Sequence, residues 1–287
     1  MSYRKNYHEY DLVMPGTLAE ALDMLGAEPG RWKPFAGGTD LMVLADAGNL
    51  SHRQFISISG LPELKTIQVA EQTLRIGAAV TYSAIQKHPV LMSEFPALCK
   101  AAGWTGSVAI QNRGTLGGNI ANASPAGDSL PVLLACDAEL ELVSASGTRM
   151  LAYDGFHTGY KKSQMREDEL IAAIHLPRRN WIQWTRKVGT RNAQAISKVC
   201  IAASAKMNGP VVEDCRIAFG SVAAFPLRVH GVENLVKGRE LNTGMIAETR
   251  AALEGEIHPI DDVRSTAGYR LRVAGNLLEE FLSGLSR

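Results

Sequence analysis

Two segments that each contain a pair of adjacent glycines constrain the fold of this chain more than any other feature. They are Ala36-Gly37-Gly38-Thr39-Asp40 and Thr115-Leu116-Gly117-Gly118-Asn119, and each lies between an apolar run and a stretch expected to be helical. Paired glycines permit positive φ angles and leave no Cβ between the backbone and a ligand. Successive N–H groups in such turns form anion-binding concavities. One pair alone is typical of an ordinary tight turn, but two such loops suffice for the two phosphates of a dinucleotide.

Neither loop matches a common phosphate-binding fingerprint. The run from Gly114 to Gly118 lacks the Gly-x-Gly-x-x-Gly order of the Rossmann fold, and no Gly-Lys-Ser/Thr sequence follows it. A dinucleotide site in this chain therefore requires a different fold.

The residues around the two loops resemble one enzyme family. Phe35–Leu41 and Arg113–Asp128 (RGTLGGNIANASPAGD) closely resemble the FAD-binding subunits of molybdenum hydroxylases, the family of the bacterial xanthine, carbon monoxide and nicotinate dehydrogenases. The resemblance extends from near Tyr10 to the C-terminus. It implies an α+β fold in which a FAD-binding domain of the vanillyl-alcohol-oxidase (PCMH) type precedes a smaller α+β domain with an antiparallel sheet and helices. We expect the first domain, with two subdomains, at residues 1–177 and the second, the molybdenum-hydroxylase flavoprotein domain, at residues 178–287.

Composition and charge exclude several other classes of protein. The 287 residues are 46% apolar and carry a formal net charge of +1, without the basic surface that nucleic-acid binding requires. The four cysteines form no C-x-x-C motif and lie in apolar surroundings, which predicts buried structural thiols rather than a cluster or zinc site. The N-terminus is polar rather than a signal peptide, and no apolar run is long enough to span a bilayer. We therefore expect a cytoplasmic protein.

Local patterns predict most of the secondary structure. Thr17 and Thr81 are positioned to cap short helices, and Asn208-Gly209-Pro210 is expected to join two antiparallel strands. The other predicted helices are 40–47, 95–102, 129–136, 232–237, 243–253 and 265–282, and the other predicted strands are 32–36, 55–58, 64–69, 74–78, 139–144, 149–152 and 170–176. These elements predict an antiparallel sheet with helices on one side. Residues 153–162 are expected to form a surface loop, with Tyr160 near the flavin.

The resemblance implies a set of cofactor-binding residues. They fall in the two glycine loops and at four further positions: Pro34, Phe35, Ala36, Gly37, Gly38, Thr39, Asp40, Leu41, Thr105, Thr115, Gly117, Gly118, Asn119, Asp128, Ile171 and Lys187. The four glycines are expected to donate backbone N–H groups to the pyrophosphate, with Thr39 and Thr115 adding hydroxyl donors. No catalytic or metal-ligating residue is predicted.

Three of these positions leave alternatives open. Asp40 is placed either to cap the following helix or to accept a bond from a flavin or ribose hydroxyl. Asp128 matches a family position that contacts FAD, and it is also placed to cap a helix. Lys187 matches a family lysine in the flavin pocket, where an ammonium would stabilise negative charge on the reduced ring, but a solvated lysine is the simpler interpretation.

Two departures from the family pattern affect specific roles. Vertebrate-type xanthine dehydrogenases have an aromatic residue where this chain has Thr105, so adenine stacking falls either to Thr105 or to the adjacent Trp104. Those enzymes also have an acidic residue near the flavin where this chain has Gln194. An acidic group at that position bears on the use of NAD, so the electron acceptor of this chain is not inferred from those enzymes.

The resemblance also implies a function and partners. We expect a FAD-binding electron-transfer subunit that works with a large molybdenum-cofactor subunit and a small [2Fe–2S] subunit, as a dimer of heterotrimers. Electrons would pass from the [2Fe–2S] clusters to this FAD and then to NAD, oxygen or a quinone. The alternative is a self-contained flavin oxidoreductase of the vanillyl-alcohol oxidase type. That class needs a substrate domain with catalytic Tyr, His or Arg residues over the flavin, and the C-terminal part of roughly a hundred residues is small for one and has few tyrosines and histidines. A flavin-free assembly subunit with the same fold is a third class, which the intact glycine loops disfavour.

Overall fold

A small parallel sheet carries the first glycine loop. In the computed structural model, which describes residues 9–191 and 194–285, strands β1 (Asp11–Val13), β2 (Lys33–Phe35) and β3 (Gln54–Ser57) form a parallel sheet in the order β1-β3-β2. Helix α1 (Leu18–Ala27) buries Ala21 and Leu25, and helix α2 (Leu41–Asp46) follows the loop. Thr17 caps α1 by accepting from the Glu20 N–H at 3.2 Å, as predicted. The parallel pairing was not predicted, because β1 is short and its partner lies about forty residues away.

A five-stranded antiparallel sheet forms the centre of the next unit. Its strands are β4 (Ile67–Val69), β5 (Thr73–Gly77), β6 (Glu139–Ser144), β7 (Gly147–Ala152) and β10 (Leu170–Pro177). They pair in the order β4-β5-β10-β6-β7, and a separate two-stranded sheet is formed by β8 (His157–Gly159) and β9 (Lys162–Ser163). Six helices pack near it: α3 (Tyr82–Lys87), α4 (Pro89–Glu94), α5 (Pro96–Trp104), α6 (Val108–Gln111), α7 (Leu116–Asn122) and α8 (Leu130–Ala135). Apolar side chains of this sheet and of α3, α4, α5, α7 and α8 share one core. Thr81 caps α3 through the Ala84 N–H, as predicted.

The C-terminal unit is an antiparallel sheet covered by three helices. Strands β11 (Ile182–Val188), β12 (Val199–Asn208), β13 (Val211–Gly220) and β14 (Leu227–Arg228) pair in chain order, and the predicted turn at 208–210 joins β12 to β13. Helices α9 (His230–Val236), α10 (Thr243–Glu256) and α11 (Ala267–Leu285) pack on one face of this sheet. On its other face, Ser204 donates to the Ala135 carbonyl of α8 at 2.6 Å. Helix α8 therefore connects the two antiparallel sheets, and the α+β fold class is confirmed.

Residues 153–162 were predicted as a surface loop, and that prediction is wrong for its first half. Tyr153, Phe156 and His157 are buried, and the Tyr153 hydroxyl lies 3.1 Å from His157 Nε2. Burial lowers the pKa of His157 to about 4, so the ring is neutral at physiological pH. Tyr160 is exposed, as a loop residue should be.

The prediction of buried structural thiols is confirmed for three of the four cysteines. Cys136, Cys200 and Cys215 are buried, Cys99 is half-buried, and all four are free thiols. Burial raises the pKa of the Cys136 and Cys200 thiols to about 12, so they remain protonated. In the part of the chain that the structure describes, no helix has the length and apolar character needed to cross a membrane.

A charged cluster on the central sheet predicts a specific acid sensitivity. Arg75 donates two bonds to Glu141, at 2.8 and 2.9 Å, and His175 Nε2 lies 2.7 Å from the same carboxylate. Chiefly through the bonds from Arg75, the pKa of Glu141 falls from 4.5 to about 2. A depressed pKa contributes stability that is present above the unfolded-state pKa and lost as the pH falls through the folded-state pKa.

We therefore expect Glu141→Gln to flatten the decline of the melting temperature between pH 5 and pH 2. Thermal unfolding at several pH values would measure this, with Glu139→Gln as the control because Glu139 is an exposed residue of the same strand. A melting-temperature difference between wild type and Glu141→Gln that stays constant with pH would contradict the prediction.

Candidate functional site

The two glycine loops lie side by side. Arg113, at the start of the second loop, donates through Nε to the Gly37 carbonyl at 3.2 Å. A Cβ added to Gly37 would lie only 1.9 Å from the Arg113 carbonyl oxygen. The second loop is itself fixed to α3, because the Tyr82 N–H donates to the Gly114 carbonyl at 3.1 Å. Glycine at position 37 is thus required by the close approach of the two backbones.

The first loop offers backbone donors. Gly38 has φ +73°, and a Cβ there would lie 2.4 Å from the Phe35 ring. Within the described residues, no protein acceptor takes the N–H groups of Gly37, Gly38 or Thr39. These three successive donors form a cradle of the kind that binds phosphate oxygens. The first loop therefore fits a dinucleotide pyrophosphate.

The second loop has a different character, because its N–H groups already have acceptors within the protein. Gly117 donates to the Ala78 carbonyl at 2.9 Å, and Asn119 donates to the Thr115 carbonyl at 3.0 Å. Gly118 donates to the Thr115 hydroxyl at 3.1 Å, which makes Thr115 the cap of α7. A Cβ on Gly117 would lie 2.5 Å from the Ala78 Cβ. The main-chain N–H groups of Gly117, Gly118 and Asn119 are therefore not free to donate to a pyrophosphate, contrary to the expectation. Glycine at position 117 instead allows the close packing of this loop against Ala78.

Asp40 does not cap α2. It occupies the N-cap position, but its side chain makes no capping bond and instead accepts from Asn122 Nδ2 at 3.0 Å. Desolvation raises the pKa of Asp40, while the nearby Lys161 and Asn122 oppose that rise. The capping alternative is wrong because a tertiary partner takes the carboxylate, which also links the first loop to the end of α7.

Asp128 and Lys187 form a buried ion pair. Lys187 Nζ lies 2.6 Å from Asp128 Oδ2, and the two side chains are only 10% and 8% exposed. Lys187 also donates to the Trp104 carbonyl at 3.4 Å, and the Ser197 hydroxyl donates to Asp128 Oδ1. Burial raises the pKa of Asp128, and Lys187 and Ser197 oppose that rise. The interpretations of Asp128 as a helix cap and of Lys187 as a solvated lysine are both wrong.

The remaining predicted positions surround these groups. Ile171 is buried in β10, and the neighbouring Ala172 carbonyl accepts from the Ala78 N–H at 2.9 Å, which places β10 beside the second loop. The Asn119 side chain accepts from the Ser129 hydroxyl at 2.9 Å. Thr105 ends α5 and donates its hydroxyl to the Ala101 carbonyl at 3.1 Å. Pro34, Ala36 and Leu41 are half-buried residues flanking the first loop.

Trp104, rather than Thr105, faces a cleft of about 680 Å³. Its lining includes Lys100, Trp184, Lys187 and Glu280. Lys100 lies over the Trp104 ring at 5.4 Å and donates to the Thr185 carbonyl at 3.1 Å. The cleft thus follows the edge of β11 and includes Lys187 of the buried ion pair in its lining.

Two residues that complete this site were not singled out from the sequence. Ser197 reaches Asp128 across 69 positions of the chain, and Asn122 reaches Asp40 across 82 positions. Neither contact produces a pattern in the local sequence from which it could be predicted, although Asn122 lies within the RGTLGGNIANASPAGD segment.

Family models match nearly the whole chain. A model described as the FAD binding domain in molybdopterin dehydrogenase matches residues 8–179. A second, described as the CO dehydrogenase flavoprotein C-terminal domain, matches residues 184–285.

Curated relatives and solved structures agree with these matches. The chain is 31% identical to the xanthine dehydrogenase FAD-binding subunit of Escherichia coli O157:H7, over 93% of this chain and 92% of that protein. It is 30% identical to the glyceraldehyde dehydrogenase medium chain of Sulfolobus acidocaldarius, over 92% and 94%. Its fold matches a chain of the carbon monoxide dehydrogenase of Hydrogenophaga pseudoflava with a TM-score of 0.91 and 26% identity, covering 95% of each chain.

Proposed function

This chain belongs to the family of FAD-binding subunits of molybdenum hydroxylases, and we propose that it carries electrons from [2Fe–2S] clusters on a partner subunit to an external acceptor. The observation that carries the proposal is the cradle of free N–H groups at Gly37, Gly38 and Thr39, which lies beside the second glycine loop. FAD bound there supplies a ring that takes up two electrons.

Each part of the site has a proposed role toward FAD. The first loop binds the pyrophosphate through its free N–H groups, and Thr115, Gly117, Gly118 and Asn119 form the rigid wall against which that loop packs. Asp128 and Lys187 present a paired carboxylate and ammonium, which are able to bind a hydroxyl and a ring oxygen respectively. Ile171 and the Trp104 ring supply apolar surface, and the cleft beside Trp104 supplies polar groups such as Lys100 and Glu280. Pro34, Phe35, Ala36, Asp40, Leu41 and Thr105 complete the proposed contacts.

We extend the proposal to the assembly and the domains. The relatives include chains named as medium chains of carbon monoxide and glyceraldehyde dehydrogenases, which supports partners that carry the molybdenum cofactor and the [2Fe–2S] clusters. A dimer of heterotrimers located in the cytoplasm is the proposed state. Residues 1–177 form the proposed FAD-binding domain with its two subdomains, and residues 178–287 form the proposed C-terminal flavoprotein domain.

The cofactor is the first point to test. We expect the purified chain to contain FAD at one molecule per chain, since the free N–H groups of the first loop form one cradle. Denaturation followed by chromatography of the released ligand identifies and quantifies it. FMN, NAD or no nucleotide in well-folded protein would contradict the proposal.

A further inference from the structure

Ser197 holds the buried ion pair of the candidate site without being placed to bind FAD itself. Its hydroxyl donates to Asp128 Oδ1, and Lys187 binds the other carboxylate oxygen, Oδ2. Both oxygens of Asp128 are therefore engaged, which fixes the rotation of the carboxylate about its terminal bond. Ser197 is only 1% exposed, so no solvent molecule competes for its hydroxyl at the surface.

The backbone around Ser197 is fixed by two residues from other elements. The Ser221 hydroxyl donates to the Ser197 carbonyl at 3.0 Å, and the Ser221 N–H donates to the Pro125 carbonyl at 2.8 Å. Arg270 of α11 donates to the Lys198 carbonyl at 3.2 Å and to the Ser221 carbonyl at 2.8 Å. Ser221 has φ +65°, a left-handed conformation that persists in a non-glycine residue only where the surroundings impose it. These bonds join β12, β13 and α11 to the segment that carries Asp128.

We propose that Ser197 is a positioning residue that sets the orientation of Asp128, and through it the Lys187 ammonium, for FAD binding, with Ser221 and Arg270 as its anchor. This inference rests on the proposed function, because it assumes that the ion pair faces FAD. A hydrogen bond to a carboxylate is stronger than one between neutral groups, so loss of the Ser197 hydroxyl leaves Asp128 free to turn toward Lys187. The ammonium is then held in a different place.

A double-mutant cycle tests this assignment. FAD affinity is measured by titrating the apo-protein and following quenching of flavin fluorescence, and apo-protein stability is measured by thermal unfolding. We expect Ser197→Ala to weaken FAD binding about tenfold, equal to about 1.4 kcal/mol. In an Asp128→Ala background, the same substitution should change FAD affinity less than twofold, because the oxygen that accepts from Ser197 is already removed.

Ser204→Ala is the matched control. Ser204 is also a buried serine, on β12, which begins two residues after Ser197, and it donates one bond, to the Ala135 carbonyl. It should lower stability but leave FAD affinity within twofold of wild type. If Ser197→Ala behaves in the same way, or weakens FAD binding equally in both backgrounds, Ser197 is merely structural and the inference is overturned.

Ser221→Gly provides a second, independent variant in case Asp128→Ala does not fold. Glycine adopts φ +65° without strain, so the backbone bonds to Pro125 and Arg270 are retained while the hydroxyl bond to Ser197 is lost. We expect about threefold weaker FAD binding, and unchanged affinity would overturn the anchoring role. Wild-type protein that binds no FAD would refute the proposed function, whereas wild-type binding with unchanged affinity in the serine variants refutes only this inference.

Discussion

Gly37→Ala should weaken FAD binding by about 10- to 100-fold. The new methyl group would lie 1.9 Å from the Arg113 carbonyl oxygen, which is a backbone atom and has no rotamer by which to move aside. The two glycine loops must then separate, and overpacking of this kind costs about 1–3 kcal/mol. Because each 1.4 kcal/mol corresponds to about tenfold in affinity, a first-loop cradle that packs against the second loop loses FAD accordingly. Titration of the apo-protein with FAD measures the change.

Gly60→Ala is the control for this substitution. Gly60 has no positive φ, and a Cβ at that position would meet no atom within 4 Å. It should bind FAD like the wild type. If Gly37→Ala also binds FAD with unchanged affinity, the first loop is only a turn and the candidate site is misplaced.

Lys187→Met should destabilise the protein by about 3–5 kcal/mol at neutral pH. The substitution leaves the Asp128 carboxylate buried at 8% exposure without its counter-ion, and removing one partner of a buried pair has this cost. Urea unfolding measures the loss. Lys206→Met is the matched control, because Lys206 pairs with Glu213 at the surface, where both side chains are nearly half exposed, and such pairs contribute about 1 kcal/mol or less.

The cost of Lys187→Met should also depend on pH. Burial already raises the pKa of Asp128, and the attraction of Lys187 opposes that rise, so removal of Lys187 raises this pKa further. An acid whose folded-state pKa exceeds its unfolded-state value binds protons more readily in the folded state, so the variant gains relative stability as the pH falls through the folded-state pKa. The difference from wild type should therefore shrink on acidification. A pH-independent difference would show that Asp128 is not left charged and buried.

Local sequence signals predicted the parts of this fold that depend on neighbouring residues. Thr17 and Thr81 cap their helices because the hydroxyl and the accepting N–H lie three positions apart. The turn at Asn208-Gly209-Pro210 is likewise determined within a few residues. The family resemblance, confirmed by the comparisons, supplied the fold as a whole, which the element pattern alone did not specify.

The errors arose where a distant partner outcompeted a local one. Asp40 and Asp128 were both placed to cap helices, but Asn122 and Lys187 bind their carboxylates instead. An acidic side chain before a helix has the same local sequence whichever partner it binds. Ser197 was missed for the same reason, since only the contact of the segment before β12 with Asp128 reveals its role.

The most direct test of the central claim is the source of electrons for the flavin in this chain. The isolated, FAD-loaded chain is mixed in a stopped-flow instrument with dithionite or with candidate heterocycles and aldehydes, and flavin bleaching is followed. We expect reduction by dithionite alone, and substrate-dependent reduction only after the molybdenum and [2Fe–2S] subunits are added. Rapid reduction of the isolated chain by an organic substrate would contradict this account and favour a self-contained flavin oxidoreductase.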